Sequence, residues 1–309
     1  MNLYALIMNG IASTFRTSVS LTLPALGEAL SERAGVINVG IEGYMAMGAV
    51  SAYLTVLFTG NLWLGLAMGM LAGAIMSLIH VYLSETLKAD QIISGIAIWL
   101  FSMGFSVFLY RNLENRGSIE GFSPIAIPVL SELPFIGPVL FNQNVLFYIG
   151  LLLVVVFSII LFRTSFGLIA RGTGENPLAI DIAGHNVSLI RYISVLVSGA
   201  MSGLGGAYLP LGVLFRFSEN MTGGRGFIAM AIVIFGGWNP WGILGGSLLF
   251  AGVDAFQIQM RAGGVDVPYS LLLMAPYVIT ILVLVAMGTS MKKSKMPKKL
   301  CIPYIKGES

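Results

Sequence analysis

The stretch SERAGVINVGIEGYMAMGAV, residues 31–50, separates two long apolar runs with polar side chains and four glycines. Its charged and amide side chains belong to Glu32, Arg33, Asn38 and Glu42. Each glycine weakens a helix by about 1 kcal/mol relative to alanine. Backbone that leaves a helix also frees N–H and C=O groups, which find no partners in lipid. We therefore predict that the helix breaks here, at a place where polar groups are needed.

The composition indicates a membrane protein. Of the 309 residues, 56% are hydrophobic and 10% are charged, and the mean hydropathy is +0.87. A soluble domain carries roughly 25% charged residues. Apolar runs near the roughly 20 residues that cross a bilayer recur along the chain. We predict an all-α polytopic membrane protein with eight or nine spans, near 10–31, 37–58, 62–84, 92–110, 144–162, 190–212, 226–237, 241–260 and 268–288.

The chain is predicted to form one transmembrane domain over residues 1–309. Lysines and arginines are more frequent on the cytoplasmic side of membrane proteins. Their distribution here places the 163–190 loop and the lysine-rich C-terminal tail in the cytoplasm. The predicted parts are a first half at about 10–110, an outer loop at 111–143, a second half at about 144–288 and a basic cytoplasmic tail at 289–309.

A weak internal repeat relates the two halves. EGYMAMGAV at 42–50 is similar to RGFIAMAIV at 225–233. In the predicted topology the first copy begins at the inner face and the second at the outer face. This is the pattern of an inverted repeat, whose interface commonly holds a transporter's substrate site. Chance similarity between helices rich in glycine, alanine and methionine is the alternative.

Candidate pathway residues lie at the start of each copy. Asn38 and Glu42 are four residues apart, so they would share one face if the segment were helical. An ionisable side chain at membrane depth usually faces a pathway or the protein interior. The alternatives are an inner-face turn for Glu42 and a solvated outer loop for residues 215–227. The predicted substrate pathway consists of Asn38, Glu42, Met45, Asn220 and Arg225.

The segment GENPLAIDIAGHNVS, residues 174–188, predicts a short helix with sharp ends. Proline at the first helical position is favoured, so Asn176 and Pro177 mark the start. Gly184 marks the end. Leu178, Ala179, Ile182 and Ala183 would form a small apolar face suited to docking a partner protein. A connector that rests on the bilayer surface is the alternative.

Motifs of enzymes and metal sites are absent from the sequence. There is no phosphate-binding loop of the form G-x-x-x-x-G-K-[ST], no H-E-x-x-H and no Cys/His cluster. Cys301 is the single cysteine. The tail lysines indicate a cytoplasmic anchor rather than nucleic-acid binding. Transport explains this combination better than catalysis, and we predict no catalytic residues, no metal and no bound cofactor.

Four segments carry a resemblance to a known family. The chain resembles the permease subunits of bacterial ABC importers, in the branch for nucleosides and simple sugars that is related to the ribose and branched-chain amino acid permeases. The segments are LPALGEALSERAGVINVGIEGYMAMGA (23–49), LKADQIISGIAI (87–98), GTGENPLAIDIAGHNVSLIRYISVLVSGAMSGLGGAYL (172–209) and ENMTGGRGFIAMAIVIFGGWNPWG (219–242).

The resemblance implies a set of partners in the bacterial plasma membrane. Such permeases pair with a second permease, dock on a cytoplasmic ATPase that hydrolyses the ATP, and receive nucleoside or sugar from an extracytoplasmic binding lipoprotein. The GVINVGIEG segment matches an element near the translocation path. The 174–188 loop matches the coupling helix, carried on Asn176, Pro177, Ala179, Ala183 and Gly184.

Two other functions remain possible at this stage. A secondary transporter or channel driven by an ion gradient would need a buried proton or sodium site, for which Glu28, Glu42 and Asp254 are weak candidates. A membrane scaffold would not need the bounded helix at 174–188. The choice of nucleoside over sugar rests on the family resemblance alone.

Overall fold

Long apolar helices make up most of the chain. The computed structural model describes residues 3–113, 117–128, 130–133, 136–262 and 296–305, with single positions at 274, 278, 281 and 285. The helices are α1 Leu3–Arg33, α2 Ile41–Thr59, α3 Leu62–Val81, α4 Gln91–Arg111, α5 Ile136–Leu140, α6 Val145–Arg163, α7 Ser165–Glu175, α8 Pro177–Ile182, α9 Val187–Tyr208, α10 Arg225–Phe235 and α11 Pro240–Ala262. Short π-helical turns extend α3 over Tyr82–Thr86 and α9 over Leu209–Leu214.

Five helices within the described ranges are long and apolar enough to cross a membrane. The fraction of each helix's apolar 18-residue window that is buried distinguishes central from peripheral helices. It is 72% for α2 and 61% for α9 with its π turn, but 33% for α3, 28% for α4 and 33% for α6. The peripheral helices therefore expose most of their apolar surface, as lipid-facing helices do. The predicted total of eight or nine spans is not confirmed, and the predicted span at 268–288 lies almost wholly outside the described residues.

Helix α1 lies at the centre of the bundle despite its polar residues. From Thr17 to Glu32 every side chain is buried. Its hydroxyl groups donate to backbone oxygens of the preceding turn, as in the 2.8 Å bond from Thr22 Oγ1 to the oxygen of Ser18. Such bonds satisfy polar groups where water is excluded. α1 packs against α6, α9, α10 and α11.

Glycines bring α3 and α9 into backbone contact. A Cβ added to Gly73 would lie 2.2 Å from the oxygen of Gly199, and one added to Gly203 would lie 2.2 Å from the oxygen of Gly69. No side chain fits at that separation. Small residues at four-residue spacing allow this approach between membrane helices.

The connection between α4 and α6 is partly structured. A two-stranded antiparallel sheet joins β1, Pro124–Ala126, to β2, Asn142–Asn144. Asn144 then begins α6 by accepting a hydrogen bond from the N–H of Phe147 at 3.1 Å. The basic tail predicted at 289–309 is described for residues 296–305.

The break between α1 and α2 is shorter than the sequence predicts. The prediction of irregular backbone over residues 31–48 is wrong in extent, because α1 continues to Arg33 and α2 begins at Ile41. Gly35, at φ +92°, turns the chain. Gly43 and Gly48 lie inside α2, where a Cβ would collide with α4 and α9 respectively. Close helix packing, rather than a broken backbone, accounts for those two glycines.

Candidate translocation site and coupling loop

The segment between α1 and α2 lies inside the bundle, where backbone N–H groups of Ile37 and Asn38 donate hydrogen bonds to buried side chains. Glu28 Oε1 accepts a hydrogen bond from the N–H of Asn38 at 2.8 Å. Gln91 Oε1, at the start of α4, accepts one from the N–H of Ile37 at 3.0 Å. Buried side chains thus replace the helical partners that this segment lacks, as backbone away from water requires.

Asn38 lies in this segment and not on a helix. The segment is not helical at Asn38, so the condition for a helical face shared with Glu42 is not met. Its Oδ1 accepts a hydrogen bond from the hydroxyl of Tyr44 at 2.6 Å. Asn38 is fully buried, and its Nδ2 has no hydrogen-bond partner among the described residues. The side chain thus retains a donor inside the bundle.

Glu42 caps the N-terminus of α10. Its Oε1 accepts hydrogen bonds from the hydroxyl of Thr222 at 2.6 Å and from the N–H of Gly224 at 2.8 Å. Its Oε2 accepts one from the N–H of Gly226 at 2.6 Å. The first N–H groups of a helix lack intrahelical partners and carry partial positive charge, so a carboxylate stabilises them. Glu42 is 2% exposed, which removes the alternative of a headgroup-facing turn.

The two repeat copies begin against each other. A Cβ on Gly226 would lie 2.5 Å from the backbone nitrogen of Glu42. Gly43 packs on Trp99 and Ser102, which lie half-way along α4. The prediction that the copies begin at opposite faces is therefore wrong. We call this contact between the starts of α2 and α10 the central junction.

The two helices leave the central junction in opposite directions. α2 leads toward the end of α4, where the rings of Tyr53 and Tyr110 lie 6.0 Å apart. α10 leads toward the end of α1, where Gly237 accepts a hydrogen bond from Arg33 Nη2 at 3.4 Å. We name these two ends of the bundle the Tyr110 end and the Arg33 end. α10 has 11 residues, so it extends through only part of the bundle.

Arg225 is the cation of the central junction. Its Nη1 donates to the oxygens of Met221 at 3.2 Å and Thr222 at 3.3 Å. Its Nη2 lies 3.5 Å from Asp254 Oδ2 on α11. Its Nε is buried and has no partner among the described residues. Arg225 thus links α10 to α11 and retains one donor.

The other two predicted pathway residues lie apart from this arrangement. Met45 is fully buried. Its backbone oxygen would lie 2.0 Å from a Cβ on Gly206, so it belongs to the tight contact between α2 and α9. Asn220 is exposed and adopts φ +56° in the turn before α10. The structure brings Glu42 and Arg225 to the central junction, keeps Asn38 in the segment just before α2, and leaves Met45 in packing and Asn220 at the surface.

Two buried carboxyl groups on α1 were not included in the predicted substrate pathway, although Glu28 was a weak candidate for a buried ion site. Glu28 Oε2 accepts a hydrogen bond from Ser198 on α9 at 3.0 Å. Glu32 Oε2 accepts one from Trp238 Nε1 at 2.5 Å. Both are almost fully buried. Their four-residue spacing inside an apolar run was the available signal, because it places both on one helical face.

The short helix predicted within 174–188 is present as α8. Asn176 Oδ1 accepts a hydrogen bond from the N–H of Ala179 at 3.2 Å, and Pro177 occupies the first turn. Gly184 adopts φ +87° and ends the segment. The predicted boundaries of this helix are thereby confirmed. Leu178 is 37% exposed and Ile182 is 78% exposed, so the small apolar face is open.

A buried ion pair lies beside α8 at the Arg33 end. Arg191 Nη1 on α9 lies 2.9 Å from Glu85 Oε2 in the π turn after α3, and both side chains are at most 1% exposed. Glu85 Oε1 also accepts a hydrogen bond from Ser188 at 2.8 Å and pairs with Lys88 at 3.2 Å. Neither Arg191 nor Glu85 was singled out from the sequence as a site residue.

Metal binding finds no support in the described part of the chain. No group of three or more His, Cys, Asp or Glu side chains there could hold a metal ion. His80 is fully buried, and its Nε2 lies 3.1 Å from the backbone oxygen of Ile37. That contact makes it a packing residue between α3 and the segment before α2.

Comparisons with known proteins place the chain in a family. The family described as "Branched-chain amino acid transport system / permease component" matches residues 10–291. The guanosine ABC transporter permease protein NupQ of Bacillus subtilis is 36% identical over 313 residues, covering 96% of this chain and 97% of that protein. The nucleoside ABC transporter permease protein NupC of Lactococcus lactis is 36% identical over 310 residues, with the same two coverages.

A third relative comes from Haloferax volcanii. TsgC13, whose name assigns it provisionally to glucose transport as an ABC transporter permease protein, is 36% identical over 254 residues, covering 81% of this chain and 77% of that protein. No solved structure matches the chain. The apolar helices agree with the family assignment, since a permease crosses the membrane several times. This chain is a multi-pass membrane protein that belongs to the branched-chain amino acid transport system permease family, whose members are transport components rather than enzymes.

Proposed function

We propose that the chain is a membrane-spanning subunit of an ATP-driven importer for nucleosides. The family membership supports an ABC permease, and the names of the two bacterial relatives at 36% identity support nucleosides as substrates. Simple sugars are the second candidate, favoured by the name of the Haloferax volcanii relative. The chain would line half of the translocation pathway in the bacterial plasma membrane.

The geometry of α8 is the main structural support for an ATP-driven mechanism. A helix of six residues is too short to be stable by itself in water. Here a side-chain cap, a proline and a left-handed glycine fix its two ends. A segment so sharply defined and with Ile182 78% exposed is suited to bind a partner protein. In this proposal α8 is the coupling helix, the Arg33 end faces the cytoplasm, and the docked ATPase hydrolyses the ATP.

The central junction is the proposed gate of the pathway. Two helices begin there, and Glu42 holds them together through three hydrogen bonds. A small displacement of α10 would break these bonds and separate the helices. Asn38 Nδ2 and Arg225 Nε are buried donors without partners among the described residues. They could donate to the oxygens of a ribose or a base once the junction opens. Met45 and Asn220 would line the pathway only in a state with rearranged helices.

Other subunits complete the proposed importer. A second permease would supply the other half of the pathway, and an extracytoplasmic lipoprotein would deliver the substrate at the Tyr110 end. The tail, which carries Lys298 and Lys299 in its described part, would lie in the cytoplasm. These assignments follow from the family resemblance and from the distribution of arginine and lysine.

An importer driven by an ion gradient is less well supported. The carboxylate of Glu42 already accepts three hydrogen bonds, that of Glu28 accepts two, and that of Asp254 faces Arg225. Each acidic group therefore has a defined partner that joins helices. Such partners fit a structural role of these carboxylates better than ion binding.

The test is to isolate the tagged chain from its native membrane in mild detergent and to measure guanosine uptake in liposomes. Recovery of an ATPase with a phosphate-binding loop, together with uptake that requires ATP, would support the proposal. Uptake by the chain alone without ATP would overturn it in favour of a secondary transporter.

A substitution at Gly184 tests the role of α8 within the same assay. Gly184→Arg should abolish uptake while the protein still folds, because a Cβ added at this exposed position meets nothing within 4 Å. The strain of a side chain at φ +87° is present in the control as well. Gly184→Asn is the matched control, since asparagine tolerates the left-handed conformation at φ +87° and adds no charge. Unchanged uptake by Gly184→Arg would refute the coupling role.

A further inference from the structure

The C-terminal segment 296–305, which we call the C-terminal strap, pairs with backbone at the Arg33 end. The N–H of Lys299 donates to the oxygen of Gly174 in α7 at 2.9 Å. The N–H of Cys301 donates to the oxygen of Gly35, between α1 and α2, at 3.1 Å. These bonds fix the segment, which turns over residues 298–301, to two elements that lie far apart in the sequence.

The buried ion pair anchors the C-terminal strap to the bundle. Arg191 Nη2 donates to the oxygen of Ile302 at 3.2 Å, and its Nε donates to the oxygen of Ala34 at 3.3 Å. Its Nη1 remains on Glu85 Oε2. One fully buried guanidinium therefore joins the strap to α9, to the end of α3 and to the segment after α1. A guanidinium offers five N–H donors in a rigid plane, so it can fix several groups at once.

Tyr304 joins the C-terminal strap to α8. Its hydroxyl donates to Asp181 Oδ2 at 3.0 Å. Tyr304 lines two recesses, of about 560 and 380 Å³, and both are also lined by residues of α8 or its flanks and of the strap. Desolvation and then the bond to Asp181 raise the pKa of Tyr304 above its ordinary value, so the phenol stays protonated and donates at neutral pH. Tyr304 thus bridges a space where α8 stands away from the strap.

We propose that the C-terminal strap is a positioning element that ties α8 through Tyr304 and Asp181 to the buried Arg191–Glu85 pair. This inference rests on the proposed function of α8. A displacement of α8 by the ATPase is then transmitted to the ends of α1, α3 and α9 together. Without this link, α8 would move relative to the bundle by bending at the turns on either side of it. Part of the displacement would then not reach α1, α3 and α9.

The first test removes one hydrogen bond and measures coupling. The complex purified from native membranes with the tagged full-length chain is placed in liposomes, and guanosine transported per ATP hydrolysed is measured. Tyr304→Phe should lower this ratio roughly three- to tenfold, the change that one hydrogen bond produces in an equilibrium. The amount of bound ATPase should not change. Tyr82→Phe, at a tyrosine 50% exposed at the same end, is the matched control.

A double substitution tests whether both residues act through one contact. Asp181→Ala should lower the ratio as Tyr304→Phe does, and the double variant should be no worse than either single one, because coupled residues are non-additive. Additive losses would contradict the proposed tie. A loss of ATPase from the complex, with the ratio unchanged, would also contradict it, because the contact would then serve assembly alone.

A covalent bridge tests whether α8 and the C-terminal strap move as one body. In a Cys301→Ser background, Asp181→Cys and Tyr304→Cys are joined by a bis-methanethiosulfonate, which forms a reducible disulfide with each thiol and whose reach matches the replaced side chains. Transport should persist after bridging. Loss of transport, restored by reduction, would overturn the proposal because the strap would then have to detach. Failure to recover any ATPase with the unmodified chain would instead refute the proposed function, so the two failures are distinguishable.

Discussion

Glu42 Oε2 and the backbone nitrogen of Gly226 lie 2.6 Å apart, although the two residues are separated by 184 positions in the sequence. This bond joins the starts of two helices that leave the central junction in opposite directions. A carboxylate at a helix N-terminus satisfies N–H groups that would otherwise be unpaired inside the bundle. The same bond would have to break if the two helices separate during transport.

Replacement of Glu42 by glutamine should weaken the central junction. Glutamine keeps the shape but has one acceptor oxygen, and its amide group would face an N–H of α10. A buried donor left without a partner costs about 1–3 kcal/mol. We expect a lower melting temperature in detergent and a guanosine uptake reduced about tenfold, the factor that 1.4 kcal/mol produces.

Glu120→Gln is the control for this experiment, because Glu120 is an exposed carboxylate in the connection between α4 and α6. It should leave both measurements unchanged. Wild-type stability and uptake in Glu42→Gln would show that the three hydrogen bonds do not hold the junction.

Replacement of Gly226 by alanine should separate α2 from α10. The added Cβ would lie 2.5 Å from the nitrogen and 2.6 Å from the Cα of Glu42, so backbone has to shift. Overpacking of this kind typically costs about 1–3 kcal/mol. We expect a lower melting temperature than that of Gly245→Ala, where the added Cβ meets nothing within 4 Å. Equal melting temperatures for the two variants would mean that the junction is not tightly packed.

Replacement of Arg191 by methionine should destabilise the Arg33 end. It leaves Glu85 buried without its main cation, and breaking a buried pair costs about 3–5 kcal/mol. Glu85 keeps its contacts with Lys88 and Ser188, so we expect the free energy of unfolding to fall by about 3 kcal/mol, the lower limit of that range. Thermal melting in detergent measures the effect.

The double variant Arg191→Met/Glu85→Met should recover part of that loss, because no unpaired charge remains buried. Arg111→Met is the exposed control, since Arg111 and Glu219 have side chains 64% and 38% exposed. Surface pairs contribute at most about 1 kcal/mol. If Arg111→Met lowered the melting temperature as much as Arg191→Met does, burial would not explain the stability of the Arg191–Glu85 pair.

Replacement of Ile182 by glutamate should block docking without unfolding the protein. The side chain is 78% exposed, and exposed substitutions usually change stability by less than about 0.5 kcal/mol. We expect the ATPase to be lost from the purified complex and ATP-dependent uptake to fall about tenfold or more, since charge is disfavoured at the core of an interface. Ile182→Val keeps the apolar surface and should behave as wild type. Retention of the ATPase by Ile182→Glu would place the docking surface elsewhere.

The sequence predicted local features well where neighbouring residues decide the structure. Asn176, Pro177 and Gly184 fix the ends of α8 through a side-chain cap, a restricted φ and a left-handed turn, and all three effects act within a few residues. The extent of the break before α2 was overestimated, because Gly43 and Gly48 serve contacts with other helices.

Composition and local pattern determined that this protein is a helical membrane protein, where its long helices lie, and which segment forms α8, because hydropathy, capping and turn preferences depend on neighbouring residues. Tertiary structure alone decided that Glu42 caps α10, that Glu28 and Glu32 are buried, and that Arg191 joins α9 to the C-terminal strap. These relationships join residues more than 100 positions apart or depend on the packing of several helices. One polar residue in an apolar sequence does not reveal which distant group will satisfy it.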